Sequence, residues 1–287
     1  MGEQPGRLFP NIIKRVSAAG TVEHAWLPGS DEGGYVSVSA PSGICLTFNP
    51  HLRCIVTING RRSQRDVEPG CVQIAGPEAI YWHVVREPAD VVEVTATAEV
   101  RRAIAEEMHV PQAAELEDQH GGTDPIIWGI AARIRTSLRT LREGADLEYE
   151  QLIRHLYGHV FATRFGGRLR MKGHGKLDRR RLERVTAYIE EHLADRSLSV
   201  AALAQVASLS AFHFLRSFRR TFHMTPHSYI RARRLERIRE ALTAENDPID
   251  VARRYGFTHL RHFRLTYSRH HGLAPGKQLA DVLNLSA

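Results

Sequence analysis

Two changes of apolar period and one division of charge predict an α+β chain of two domains. The first is a β-sandwich or barrel carrying a helical hairpin. A linker joins it to an all-α domain with two helix-turn-helix motifs. Residues 35–97 hold short β-branched and aromatic runs between turn signals, whereas the chain beyond Val100 moves to three- and four-residue apolar steps. Basic residues gather after residue 167. A chain of 287 residues exceeds a typical single domain. The expected boundaries are 1–165 for the first domain, 166–177 for a glycine-rich basic linker, and 178–287 for the second.

The strand expectation rests on Ile44–Phe48, Cys54–Ile58, Cys71–Ile74, Ile80–Val85 and Val91–Thr95. Asn59-Gly60 is a hairpin signal, because both central positions of a type I′ turn need positive φ. Pro69-Gly70 and Gly76-Pro77 mark further turns. Five or more short strands so closely spaced form a sandwich or a barrel.

Ile126, Ile127, Ile130, Ala131, Ile134, Leu138 and Leu141 share one helix face. Asp124-Pro125 supplies an N-cap and an N1 proline, and Gly144 a C-terminal stop. Leu152, Ile153, Leu156, Tyr157, Val160 and Phe161 mark a second helix. Such a pair either covers the sheet or forms a subunit contact.

In the C-terminal part, Leu182, Val185, Ile189 and Leu193 make an amphipathic stripe. A short helix through Leu203 and Ala204 then turns at Ser208-Leu209-Ser210 into a helix anchored by Phe214, Phe218 and Phe222. Pro226 opens a long arginine-rich helix reaching about Leu242. Asp247-Pro248 starts a third short helix, Tyr255-Gly256-Phe257 turns, and a last helix carries Phe263 and Tyr267. Helix, turn and basic helix thus occur twice.

Net charge is +7, and it is divided unevenly. From Arg168 onward there are 23 Lys+Arg and 11 Asp+Glu, or +12, which leaves −5 on residues 1–167. A basic module beside an acidic one fits nucleic-acid binding next to a different task. Cys45, Cys54 and Cys71 form no C-x-x-C pair and no even framework, which argues against thiolate zinc and disulfides. They read either as reduced core thiols or, if exposed with a low pKa, as a redox sensor. With no adjacent base, they also argue against an enzyme. No apolar run is long enough to span a membrane, and the first ten residues lack a signal-peptide pattern, so the expected location is the cytoplasm.

Taken in order, Leu203–Phe218, Phe222–Arg237, Tyr255–Tyr267 and Gly272–Pro275 resemble the AraC/XylS family of transcription regulators. The resemblance covers about Leu182 to Gly276. Ser208 stands where glycine is usual, Leu265 where arginine is usual, and Gln278 where an aromatic is common. Pro248 takes an apolar position, so the helix it opens reads as one residue short. The N-terminal strands more weakly resemble a cupin-like β-barrel, which in relatives binds a small effector and is followed by helices that often dimerise.

The resemblance implies a sequence-specific regulator, an activator by preference, that binds double-stranded promoter DNA. RNA polymerase, a second copy of the chain and a small-molecule effector are its implied partners; no cofactor is implied. The alternative is a ligand-independent regulator whose N-terminal domain serves only dimerisation or protein contact. Phe212, Leu215, Arg216, Arg219 and Arg220 are the implied DNA-binding residues of the first unit. Leu260, Arg261, His262, Arg264 and Leu265 are those of the second. Arg216, Arg261 and Arg264 are the base readers, reaching guanine edges, with the leucines and Phe212 on thymine methyls. Phe212 could equally be buried as a core aromatic. Tyr81, Trp82 and His83 are the effector candidates. His51 and His83 stand alone, without a His-x-His pair, so no metal is expected.

Overall fold

The computed structural model describes residues 11–27, 37–140, 145–167, 176–242, 247–272 and 274–276. Leu141, Gly144, Gln278 and most of the linker, residues 168–175, lie outside the described residues. The chain divides into two units at residues 170–171, inside the glycine-rich basic stretch.

The first unit is built on two antiparallel sheets. One contains, in spatial order, β1 (Asn11–Ser17), β2 (Gly20–Leu27), β9 (Ala89–Ala96), β4 (Gly43–Thr47), β7 (Cys71–Ile74) and β10 (Gln119–Thr123). The other contains β3 (Ser37–Ser39), β8 (Ile80–Val84), β5 (His51–Ile58) and β6 (Arg61–Val67). Asn59 and Gly60 join β5 to β6 with φ of 49° and 71°, the two positive values that a type I′ turn demands.

The sheets face each other as an open sandwich, and no ladder closes them into the expected barrel among the described residues. The edge strands explain why. β6 (Arg-Arg-Ser-Gln-Arg-Asp-Val) leaves Arg61, Arg62 and Asp66 exposed, and β10 is short, glycine-rich and bulged. Charged or irregular edges resist further pairing.

Strand alternation gives the six-stranded sheet two unlike faces. Val22, His24 and Trp26 of β2, with Asp90, Val92 and Val94 of β9, are all buried. Helices α2 (Pro125–Thr140) and α3 (Asp146–Arg164) pack on this sheet. Asp124 caps α2 by accepting from the amides of Ile126 and Ile127 at 2.9 and 3.1 Å. Its apolar stripe of Ile127, Ile130, Ile134 and Leu138 is fully buried, so this hairpin covers the sheet.

Within that interface, the buried Arg135 donates to Asp90 Oδ2 at 3.1 Å, and Asp90 Oδ1 lies 3.0 Å from His24 Nε2. Tyr157 of α3 ties into the same sheet, donating to the Ser42 carbonyl at 2.6 Å and accepting from the Ala96 amide at 3.0 Å. A further helix, α1 (Ala98–Glu107), follows β9 and is capped by Thr97.

The second unit holds α4 (Arg179–Glu191), α5 (Val200–Val206), α6 (Ala211–Phe222), α7 (Pro226–Ala241), α8 (Pro248–Arg254) and α9 (Leu260–His271). The two helix-turn-helix units are copies in backbone detail. α5 and α8 each have seven residues, and α6 and α9 each have twelve. The helix opened by Pro248 is therefore not short. Asp247 caps it and Pro248 sits at the first turn, where a missing amide costs no bond.

The turns match as well. The amides of Leu209 and Phe257 reach back to the carbonyls of Ala204 and Ala252 at 2.9 and 3.1 Å. Ser208 and Gly256 take φ of 53° and 84°, the left-handed conformation. Glycine holds that conformation freely, whereas a Cβ makes it cost about 1–2 kcal/mol.

Helix α7 serves both units. Tyr229, near its start, lies 5.7 and 4.8 Å from the rings of Phe218 and Phe222. Leu235 and Ile238, about two turns on, pack with Val251, Ala252, Phe263 and Tyr267. Because Ser208 holds the left-handed conformation with a Cβ, Ser208→Gly should stabilise the second unit by about 0.5–1 kcal/mol. Urea unfolding of the full chain, followed as two transitions, checks this. An unchanged or lower midpoint for the second unit would show that the turn is not strained.

Candidate nucleic-acid interface and inter-sheet cavity

Helix α6 begins at Ser210, whose hydroxyl accepts from the His213 amide at 3.3 Å. It ends at His223, which takes φ of 57° and returns its amide to the Arg219 carbonyl. Phe214, Phe218 and Phe222 are fully buried, with successive ring centroids 5.5 and 4.3 Å apart. Four-residue spacing puts these rings on one face. The opposite face presents Phe212, Leu215, Arg216, Arg219 and Arg220, all exposed. Phe212 is 70% exposed, which removes the reading of it as a core aromatic.

Helix α9 repeats the arrangement. Phe263 and Tyr267 are buried with centroids 5.5 Å apart, while Leu260, Arg261, His262, Arg264 and Leu265 are exposed. Gly272 closes it at φ 84°.

The arginines divide into two populations. On α7, Arg233, Arg234, Arg237 and Arg239 are engaged within the protein, whereas Arg231 is exposed. Arg233 donates to both oxygens of Glu190 on α4 at 2.5 and 2.8 Å, and Arg237 reaches the same carboxylate at 3.1 Å. Arg234 caps the end of α4 through the carbonyls of Leu193 and Asp195, both at 2.8 Å. By contrast, Arg216, Arg219, Arg261 and Arg264 are exposed and have no hydrogen-bond or ion-pair partner among the described residues. Net charge alone does not separate these groups, because engagement by Glu190 depends on the packing of α4 against α7.

One further cluster joins α7 to α9. Glu236, His270 and His271 are buried with ligand atoms within 4.8 Å of one another. His270 Nε2 lies 2.8 Å from Glu236 Oε1, His271 Nε2 lies 3.0 Å from the Leu235 carbonyl, and Arg239 holds Glu236 Oε2 at 3.0 Å. A guanidinium already neutralises the carboxylate, so the cluster works as a hydrogen-bonded tie between helices.

In the first unit, a cavity of about 60 Å³ lies between the sheets. Its walls include Leu27, Trp82, Val85 and Val91 as well as Cys45, Thr47, His51, Gln73 and Glu93. A neighbouring cavity of about 150 Å³ shares Leu27, Ser37, Val91 and Glu93 and adds Glu23. Of the three sequence candidates, only Trp82 lines this space; its indole N–H donates to Ser39 Oγ at 3.1 Å. Tyr81 is exposed, as alternation along β8 requires, and His83 bonds Thr57 Oγ1 at 2.7 Å.

Sequence reasoning missed the polar residues of the cavity wall because Thr47 and Gln73 each sit singly in apolar strands and Glu93 shares its strand with polar residues such as Asp90. Only the phase of each strand would have pointed to them. Burial pushes the Cys45 thiol well up, Cys54 to about 11 and Cys71 up, so the cysteines stay protonated rather than acting as reactive thiolates.

Residues 203–280 match the family model described as a helix-turn-helix domain. Over these residues the C-terminal unit is thus similar to helix-turn-helix domains. Over 104 residues, 34% of this chain, it is 38% identical to the XylDLEGF operon transcriptional activator of Pseudomonas putida, 31% of whose length is covered. Over 101 residues, 35% of this chain, it is 31% identical to the probable transcriptional regulator LumQ of Photobacterium leiognathi, covering 40% of that protein. The match thus spans less than half the length of either relative. Among solved structures, ToxT from Vibrio cholerae aligns over 94% of this chain and 97% of its own at 9% identity, with a TM-score of 0.33. At that score the likeness carries no weight.

Glu93 supplies a pH test of the cavity wall. Burial raises its carboxyl from 4.5 to about 7, against the Ala40 amide that donates to it at 2.7 Å, with Glu23 adding repulsion and Lys14 opposing it. An acid whose folded pKa lies above its unfolded one holds its proton longer in the folded state. Stability should therefore fall as pH rises from about 4.5 to about 7, by on the order of 2–3 kcal/mol, and level off above. Glu93→Gln should flatten that limb of a pH series of thermal melts. An unaltered slope would place the titration elsewhere.

Proposed function

We propose that the chain is a sequence-specific DNA-binding transcription regulator that lays helices α6 and α9 into successive faces of the major groove of promoter DNA. The observation that carries this reading is the division of the arginines. Arg233, Arg234 and Arg237 of α7 are engaged internally, while Arg216, Arg219, Arg261 and Arg264 on the two exposed helix faces have no partner among the described residues and lie beside exposed Phe or Leu side chains. Guanidinium groups match guanine O6 and N7, and apolar side chains meet thymine methyls, so both faces suit base edges.

Arg216 in the first unit and Arg261 with Arg264 in the second are the base readers. Leu265 gives the second unit an apolar contact where relatives use arginine, which shifts its preference rather than removing it. Arg219, Arg220 and His262 contact phosphates and fix the register. The relatives named above are called activators and regulators, and activation through RNA polymerase is the mode proposed here.

The N-terminal unit is proposed to hold a small effector in the inter-sheet cavity. Trp82 contributes to its wall, and Tyr81 and His83 do not. The helical hairpin uses its apolar stripe on the sheet, so the dimer expected from that stripe needs another surface.

The direct test is binding of the full chain to duplex DNA from upstream of its own gene and to scrambled DNA, over a salt series. Preference for the first that survives about 150 mM salt supports the reading; equal binding that vanishes with salt would leave only charge at work. Within that assay, Arg216→Ala should cost about 1–3 kcal/mol and relax one base position. Arg219→Ala should weaken all sequences alike and reduce the salt slope by about 1. An unchanged site preference in Arg216→Ala would remove the first-unit assignment.

A further inference from the structure

We propose that the inter-sheet cavity binds a small organic ammonium ion, with its charged end on Glu93 and its apolar body against Leu27, Val85 and Val91. This deepens the effector reading and rests on it. The argument begins with strand register. Lys14 pairs with Glu23, Glu23 with Glu93, Glu93 with Cys45, Cys45 with Gln73, and Gln73 with His120. Directly paired residues of antiparallel strands share a face. One polar rung therefore crosses all six strands, and its middle members, Glu23, Glu93, Cys45 and Gln73, line the cavities.

The lining sets the sign of the ligand. Among the described residues it contains the carboxyl groups of Glu23 and Glu93 and no lysine or arginine. An anionic ligand would lie beside two carboxyl groups, and the Lys14 ammonium on the same rung is outside the lining and already paired with Glu23 at 3.8 Å. The one imidazole in the wall, His51, is hydrogen-bonded to Thr47 Oγ1 at 2.8 Å. Glu93 Oε1 accepts from the Ala40 amide, and its second oxygen has no partner among the described residues.

A second polar group points the same way. Gln73 is only 8% exposed, and its side-chain nitrogen has no hydrogen-bond partner among the described residues. A buried amide left without a partner is costly, and a ligand oxygen relieves it. An ammonium ion carrying a hydroxyl or carbonyl would use both anchors, and the Trp82 ring offers a cation a further favourable neighbour.

Size limits the body. A dry apolar cavity of about 150 Å³ accepts benzene. The two adjoining spaces of about 60 and 150 Å³ therefore suit one ring or a short branched chain.

The test uses the full chain and three probes of one shape: benzylamine, benzyl alcohol and benzoate, by titration calorimetry and thermal shift. Benzylamine is expected to bind most tightly and benzoate least. Glu93→Gln should weaken benzylamine about tenfold or more while moving benzyl alcohol only a few-fold. Its own melt checks that it remains folded. Val91→Phe, which fills the shared wall, should abolish binding of both.

Benzoate binding as tightly as benzylamine, or benzylamine binding that ignores Glu93→Gln, would overturn the ammonium class and leave the effector reading standing. Silence to all three probes at millimolar concentration also overturns the proposal. Silence to a broad library as well would remove the effector reading itself.

Discussion

The ring stack of Phe214, Phe218 and Phe222 fixes what the DNA-binding unit can present. A twelve-residue helix has two faces, and its exposed side chains are aimed only as well as its buried ones are held. Burial of the three rings sets the rotation of α6 about its axis, which places Phe212, Leu215, Arg216 and Arg219 toward solvent. Tyr229 carries that constraint into α7, and Leu235 and Ile238 pass it to the second unit, where Phe263 and Tyr267 orient α9 in the same manner. Two recognition surfaces are thereby held by one helix. An exposed Phe212 is the corollary: a large apolar side chain left in water on a rigid face invites a partner with an apolar edge.

Charge is distributed by the same packing. The C-terminal unit reads as strongly basic, yet much of the charge between its two halves is used at home. Glu190 takes Arg233 and Arg237, and carbonyls at the end of α4 take Arg234. These contacts stiffen the junction of α4 and α7, the element joining the two units. Arg216 and Arg219 on α6 and Arg261 and Arg264 on α9 remain available. In the proposed reading, the field that attracts a phosphate backbone and the side chains that read bases share two helix faces.

Where local chemistry dictates structure, the sequence was legible. Ser210, Asp247-Pro248 and the phenylalanine spacing placed the second unit's helices, and Asn59-Gly60 placed a hairpin. Asp124 capped its helix as its position demanded. What escaped was decided by tertiary contact. Strand β6 has one apolar residue in seven and exists through its ladder with β5. The closed barrel failed because edge chemistry outweighed strand count. Helix α8 keeps its full seven residues because Pro248 stands in its first turn, where a proline costs no bond, and not at a core position. Tyr81 and His83 were singled out by aromatic neighbourhood, yet the period of two turns them away from the space that Trp82 enters.

The last step concerns β9, which lies inside the six-stranded sheet between β2 and β4. Its alternate residues do unlike work. Asp90 joins the buried Arg135 of α2 and His24 of β2, and Arg135 also stacks 3.6 Å from the Phe48 ring centroid. Ala89, Val91 and Glu93 line the opposite face, in the cavity. Breaking a buried ion pair costs more than the pair contributes, so the Asp90–Arg135 contact resists any sliding of β9 against α2. A molecule seated on Val91 and Glu93 therefore presses on a strand whose other face is clamped to a helix. In the proposed reading, a bound molecule and the helical hairpin would therefore touch β9 one residue step apart, on opposite faces of the sheet.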